Sequence, residues 1–180
     1  MNHRISMTNV SFAFLKSSPD FLNLVLNNIN SCVLLLDKDM RLQAFNDATT
    51  AIFLRNKAED IQYVRCGEAI GCAYQVEKMK DCGRTPHCNR CPLREAALIS
   101  YSENKPVYRE HIAREFYMND GKKVLKHLQF STRSFHFQKD RYILMIVDDI
   151  SEIVETKNKL VEKEKQFINH MANLNSGQNH

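Results

Sequence analysis

Glycine is scarce in this chain, with five residues among 180. A phosphate-cradling loop needs several glycines in a short span, so the sequence argues against a nucleotide-binding loop of that kind. The GxSxG motif of serine hydrolases and the HExxH motif of zinc proteases are also missing. No acid and base stand out as a pair from the ordinary surface charge. We therefore expect a protein without enzymatic activity.

Long apolar runs and a strong excess of one charge are missing as well. No stretch approaches the roughly 18 apolar residues of a membrane span, and residues 1–6 lack the apolar core of a signal peptide. The formal net charge of +4 is dispersed, without the basic stripe typical of nucleic-acid-binding proteins. We therefore expect a cytoplasmic protein that binds neither a membrane nor nucleic acid.

Cysteine is well represented, and five of the six cysteines lie within residues 66–91. Thiols stay reduced in the cytosol, so metal binding or redox chemistry explains them better than structural disulfides. Four thiolates suit either Zn²⁺ or an iron–sulfur cluster, and the gaps match neither the common zinc-finger nor the common ferredoxin spacing. Free thiols or a regulatory disulfide form a third alternative. The five cysteines are Cys66, Cys72, Cys82, Cys88 and Cys91.

Basic residues outnumber acidic residues around these cysteines. A thiolate-ligated metal site is usually anionic, so a basic surround would stabilise it, whichever metal is bound. Cys91 also precedes Pro92 at a predicted helix start, where the amide dipoles favour a thiolate. The basic residues are Arg65, Lys78, Lys80, Arg84, Arg90 and Arg94, against Glu68, Glu77 and Asp81.

The order of predicted elements indicates an α+β fold. Capping residues and helical spacing of apolar residues predict the helices, and alternation between turn residues predicts the strands. The turn at 119–121 has the Asn-Asp-Gly composition of a tight hairpin. The predicted helices lie near 18–29, 48–54 and 92–100, and the predicted strands near 32–36, 41–45, 107–118, 124–137 and 142–147.

A long amphipathic helix is predicted from Asp149 onward. Asp149 to Glu152 has the spacing of a capping box, and apolar residues recur every seven positions from Ile153 to Leu174. Such a helix is marginal alone and suited to pairing, so we expect a homodimer formed through it. The polar residues 175–180 predict a frayed tail.

These elements and their residues resemble the PAS domain family. Residues 33–46 are similar to its opening hairpin, and residues 146–151 to its closing strand and aspartate-x-threonine junction, with serine replacing threonine. The resemblance implies an antiparallel sheet of about five strands with flanking helices. It also implies a sensor in which Asp149 and Ser151 transmit a signal to a histidine kinase, a regulator or another output module. The expected divisions are a flanking segment 1–17, a PAS sensor domain 18–150, a signalling helix 151–174 and a tail 175–180.

Residues 65–91 resemble a cysteine-bearing PAS subtype found in sensory proteins of anaerobic and facultative prokaryotes. The similar residues are the run 67–72, the Cys82-Gly83 pair and the C-x-x-C at 88–91. This resemblance implies an iron–sulfur cluster, with [4Fe–4S] preferred to [2Fe–2S]. A structural zinc ion is the alternative. The expected ligands are Cys72, Cys82, Cys88 and Cys91, with Cys66 as a spare or alternative ligand.

Other candidate ligands are set aside. His111, His127 and His136 lie on predicted strands and could ligate a haem, but strand histidines are more often simply half-buried. Cys32 lies at the start of an apolar strand, and this position predicts that it is a buried packing residue. His87 is interpreted as a solvated loop residue.

Overall fold

A computed structural model describes residues 18–53 and 61–176, without the side chains of 172–176. The predicted flanking segment 1–17 and residues 177–180 of the predicted tail 175–180 lie outside the described residues. The helices are α1 (Pro19–Asn27), α2 (Asp47–Phe53), α3 (Cys66–Ala69), α4 (Ala73–Lys78), α5 (Pro92–Glu103) and α6 (Ser151–Ser176), with a 3₁₀ turn at Pro86–Arg90. The strands are β1 (Cys32–Leu36), β2 (Leu42–Phe45), β3 (Val107–Tyr117), β4 (Lys123–Phe137) and β5 (Asp140–Asp149).

The strands form one antiparallel sheet in the order β2-β1-β5-β4-β3. The hairpin between β3 and β4 closes at Gly121, whose φ of 77° is a conformation that side-chain-bearing residues rarely adopt. The prediction of an α+β fold with about five antiparallel strands and flanking helices is confirmed, and each predicted strand lies within a few residues of an observed one.

The inward face of the sheet is apolar because alternate residues of each strand point the same way. Leu34, Phe116 and Leu128 are each at most 1% exposed on this face. Helix α5 packs across it, and the Thr132 hydroxyl donates a hydrogen bond of 3.0 Å to the Ala96 carbonyl of α5. The core therefore lies between the sheet and the helices that connect β2 to β3.

Asn46 ties the start of the domain to the sheet. Its Oδ1 accepts a hydrogen bond of 2.9 Å from the Val33 backbone amide. Its Nδ2 donates to the carbonyls of Leu26 (2.8 Å) and Ser31 (2.9 Å). The side chain is 2% exposed, so these bonds satisfy a buried amide and fix α1 against β1.

Helix α6 leaves the domain with its apolar stripe uncovered. Ile153, Leu160 and Phe167 are 68%, 58% and 65% exposed, and the side chain of Leu174, the last member of the predicted series, is outside the described residues. None of the helices in the described ranges is both long and apolar enough to cross a membrane.

Candidate metal centre

Five cysteine side chains line one cavity of about 40 Å³ beside the inward face of the sheet. They come from separate points of the chain: the first residue of α3, the residues before α4 and α5, the loop between them, and the 3₁₀ turn. The sequence predicted that four of these cysteines form one site, with the fifth as a spare or alternative ligand. The fold brings together Cys66, Cys72, Cys82, Cys88 and Cys91.

Backbone hydrogen bonds fix the first part of the cysteine segment to the sheet. The Cys66 amide donates to the Met40 carbonyl at 2.9 Å, next to β2. The Tyr117 amide at the end of β3 donates to the Gly71 carbonyl at 2.8 Å, and Cys72 forms an antiparallel bridge with Phe116. Cys66 and Cys72 are each 8% exposed. The segment therefore spans the mouth of the core between the two edges of the sheet.

Cys82 is held by side chains from α3 and the residue before it. Arg65 Nη1 donates to the Cys82 carbonyl at 2.8 Å, and the Cys82 amide donates to Glu68 Oε1 at 3.1 Å. The Gly67 amide is hydrogen-bonded to the Cys82 thiol. Burial raises the pKa of Cys82 to about 11 in spite of that bond.

Cys88 differs from the other thiols in its hydrogen bonds. Its Sγ accepts from the Gly83 amide at 3.2 Å and shares a hydrogen bond of 3.0 Å with the Thr85 hydroxyl. Burial opposes ionisation of Cys88, but these bonds and the Arg94 charge lower its pKa below the ordinary value. Cys88 is therefore the thiol whose surroundings most favour the thiolate among those with a resolved shift.

The net pKa shift is in the opposite direction at the inner thiols, where the effect of burial prevails. It raises the pKa of Cys66 well above the usual range, and the nearby sulfurs of Cys82, Cys91 and Cys72 raise it further. Burial also raises the pKa of Cys72, although Arg114 and local amides oppose it. In the metal-free protein these thiols hold their protons, and a bound metal would have to displace them.

Arg114 on β3 reaches into the cavity, a contact that sequence reasoning missed. Its Nη1 donates to Cys91 Sγ at 3.0 Å, and it also hydrogen-bonds to Cys72. Its guanidinium lies 5.1 Å from the centroid of the Tyr74 ring, which stacks on His87 at 3.9 Å. His87 is thus an exposed loop residue, as predicted, but it packs at the cavity mouth. The alternation of Ile112 and Phe116 on the inward face is the signal that points Arg114 inward.

The thiols do not form a preassembled site for one metal ion. Across residues 18–53 and 61–176, no three histidine, cysteine, aspartate or glutamate side chains stand close enough together to hold one. In a tetrahedral zinc site, with Zn–S bonds of about 2.3 Å, the sulfurs lie about 3.8 Å apart. A zinc staple would therefore require the side chains to draw together.

Searches against protein-family models and curated proteins found no match. Solved structures do match. The structure of an RNA-binding light-oxygen-voltage receptor is 14% identical, with a TM-score of 0.55 over 95% of this chain and 42% of that chain. A PAS domain from a two-component sensor histidine kinase is 12% identical, with a TM-score of 0.49 over 79% of this chain and 98% of that chain. The fold is PAS-like.

The PAS domain of Bordetella pertussis BvgS is also similar, at 17% identity, with a TM-score of 0.48 over 82% of this chain and 96% of that chain. Identities this low concern the fold alone. This chain spans less than half of the light-oxygen-voltage receptor that it matches. The PAS-like fold places the cysteine segment in the helical connection between α2 and β3.

The junction between the PAS-like domain and α6 contains the two residues expected to transmit a signal. Asp149 Oδ1 accepts from the Ser151 amide at 3.1 Å, and Asp149 Oδ2 accepts from Lys126 Nζ at 2.6 Å. The His127 amide donates to Ser151 Oγ at 2.9 Å, and the Ile150 amide donates to the His127 carbonyl at 2.8 Å. The start of α6 is thus attached to β4 as well as to β5.

The remaining candidates lie away from the cysteine cavity. His111 and His127 stack on the opposite face of the sheet, with Nε2 and Nδ1 3.3 Å apart. His136 accepts from Arg141 Nε at 3.2 Å in the β4–β5 hairpin. Cys32 is fully buried in the core, which confirms its predicted packing role.

Proposed function

We propose that this PAS-like domain is a sensor whose cysteine cavity holds an iron–sulfur cluster. The observation that carries the proposal is the convergence of five thiols on one cavity. When bound, such a cluster supplies a one-electron redox change and reactivity toward oxidants. The ligands proposed are Cys72, Cys82, Cys88 and Cys91, with Cys66 as an inner thiol beside them.

The size of the cavity favours a polynuclear group over a single ion. A volume of about 40 Å³ exceeds several-fold the roughly 10–15 Å³ that one water molecule needs. One zinc ion would leave much of that space empty unless the thiols moved inward. Among the described residues, no three side chains of the types that bind metals are placed to hold one ion, whereas a [4Fe–4S] cluster takes its cysteines at separate irons.

The hydrogen bonds and charges around the sulfurs suit an anionic group. The Gly83 amide donates a hydrogen bond to the Cys88 thiol, and nearby backbone amides act to lower the pKa of Cys82 and of Cys72. Arg114 and Arg94 add positive charge at the cavity. Such donors stabilise thiolates and cluster sulfurs, and they raise the reduction potential of a cluster.

The proposed output is α6. The cysteine segment and α6 both attach to the long strands β3 and β4, so a change at the cavity has a short path to the helix. Through α6 the domain would form a homodimer and act on a partner such as a histidine kinase or a regulator, by the resemblance of residues 146–151 to the PAS junction. No catalytic role is assigned to any residue.

The test is anaerobic purification, followed by an absorption spectrum and iron, zinc and acid-labile sulfide analysis on the same sample. Wild type and Cys32→Ser should both bind iron and sulfide, because Cys32 packs in the core and does not line the cavity. Cys88→Ser and Cys91→Ser should lose both. Equal loss of metal in Cys32→Ser would overturn the ligand assignment.

Two other results would replace the proposal of an iron–sulfur cluster with a different function for the cysteines. Colourless, air-stable protein with about one zinc per chain would make the cysteines a structural staple of an interaction module. Little metal of any kind, with a reversible shift on non-reducing gels, would indicate direct thiol-based sensing.

A further inference from the structure

Three charged side chains cross the sheet in a row on its inward face. Arg114 on β3 lies directly opposite Lys126 on β4. Asp149 on β5 lies opposite Leu128, two residues from Lys126 along β4. Directly opposed residues, and residues two apart on a strand, point to the same face. Charged residues on a face that otherwise forms the core need partners.

The two ends of the row have different partners. At one end Arg114 is hydrogen-bonded to the sulfurs of Cys91 and Cys72. At the other end Asp149 binds Lys126 Nζ at 2.6 Å and caps the Ser151 amide at 3.1 Å. The side chains of Lys126 and Asp149 are only 15% and 21% exposed, so solvent screens their interaction weakly. The row therefore connects the cysteine cavity with the first turn of α6.

We propose that Arg114 is a positioning residue that couples the cysteine site to the cap of α6. Directly opposed like charges repel, so Arg114 and Lys126 tolerate each other best when the sulfurs hold Arg114 toward the cavity. When the Cys91 sulfur no longer accepts the hydrogen bond from Arg114, the guanidinium is released toward Lys126, and its charge weakens the hold of Lys126 on Asp149. The cap on Ser151 then loosens.

This inference rests on the proposed function, because the state of the cysteine site is the signal that Arg114 relays. It adds a specific route to that function. A purely structural Arg114 would stabilise the cavity without any effect on α6, which begins 37 residues further along the chain. The two roles are separated by reading out the α6 cap directly, in protein that holds no metal.

The experiment is a double-mutant cycle on reduced, metal-free protein, with hydrogen exchange of the Ile150 and Ser151 amides measured by NMR. The variants are Cys91→Ser, Arg114→Gln and the two combined. Cys91→Ser should change these exchange rates by about threefold or more, the size of effect that coupling between distant sites produces. The same change should vanish in the Arg114→Gln background and persist in Arg133→Gln, an exposed arginine of β4 bonded to Tyr108 instead.

An unchanged effect of Cys91→Ser in the Arg114→Gln background would overturn the proposal, as would no effect of Cys91→Ser on these amides at all. If Arg114→Gln fails to fold, Lys126→Gln takes its place in the cycle. That substitution removes the charge between Arg114 and Asp149 and leaves the residues that line the cavity unchanged. It should equally abolish the change in exchange rates caused by Cys91→Ser. Iron and sulfide analysis of the wild type is separate. Absence of a cluster would refute the proposed function while the cycle still decides the route.

Discussion

The sulfur of Cys82 lies so close to Gly67 that a Cβ added at Gly67 would stand 2.7 Å from it. Real Cβ atoms essentially never show contacts under 3.0 Å. The Gly67 amide is also hydrogen-bonded to the same thiol. Gly67 thus lets the backbone of α3 approach a proposed ligand closely, and any side chain there must push Cys82 away.

Replacement of Gly67 by alanine should impair the metal site. Gly67→Ala should displace the Cys82 thiol, lower iron and sulfide content, and cost about 1–3 kcal/mol of stability in urea unfolding, as overpacking does. Gly121→Ala is the control, because a Cβ there meets nothing within 4 Å. Its positive φ should cost about 1–2 kcal/mol while the metal content stays at the wild-type level. Equal iron content in the two variants would contradict the prediction.

Cys66 and Cys88 should differ in their importance for metal binding. Five thiols line the cavity, one more than the four that a [4Fe–4S] cluster takes, and Cys66 is the spare one in the proposed ligand set. Cys66→Ala should therefore keep its iron and sulfide and lose only some packing energy, and Cys88→Ala should lose the metal. Metal analysis after anaerobic purification checks both. Loss of iron in Cys66→Ala alone would make Cys66 the ligand in place of Cys88.

Local sequence signals predicted most of the fold. These signals are properties of neighbouring residues, and each was confirmed. They are the Asn119-Asp120-Gly121 turn, the helix starts at Pro19 and Pro92, and the alternation of apolar residues in the strands. The contacts of Asn46 could not be predicted, because its side chain bonds to Leu26, Ser31 and Val33, whose positions depend on tertiary packing.

The candidate site also has features that the local sequence predicted and features that depend on tertiary packing. Soft thiolates in one short segment suggested that the cysteines converge. The place of Cys66 in the cavity depends on its bond to Met40 beside β2. Arg114 lies 23 residues from Cys91, on a strand whose register against the cysteine segment no local pattern specifies. Only the inward direction of the Arg114 side chain could be predicted, because Ile112 and Phe116 lie two positions before and after it along the strand.

Asp149 should contribute stability that depends on pH. Burial raises its pKa, but bonds from Lys126 and Ser151 lower it more, and the net pKa is below the ordinary value. A lowered pKa stabilises the fold above the unfolded-state pKa of about 3.9, and the stabilisation is lost as the pH falls through the folded-state pKa. Asp149→Asn keeps an oxygen that can accept from Ser151 but removes the charge that Lys126 and the start of α6 attract, so it should cost about 1 kcal/mol at pH 7. The difference from wild type should shrink below about pH 4.

Urea unfolding between pH 2.5 and pH 7 measures this difference. Asp39→Asn is the control, since the Asp39 side chain is exposed in the β1–β2 turn; it should leave the profile unchanged. A stability gap between wild type and Asp149→Asn that stays constant down to pH 2.5 would show that the carboxylate charge does not cap α6.

The exposed stripe of α6 should mediate self-association. Leu160 lies in the middle of the stripe and is 58% exposed, with Ile153 and Phe167 one heptad to either side. Leu160→Glu should place a carboxylate in the seam and weaken the dimer by at least about tenfold in Kd, measured by analytical ultracentrifugation. Asn158→Glu introduces the same side chain about 200° around the helix and should leave Kd unchanged, because that position faces away from the seam. If both variants associate like the wild type, dimerisation does not use this stripe, and α6 is free to pair with a helix of another protein.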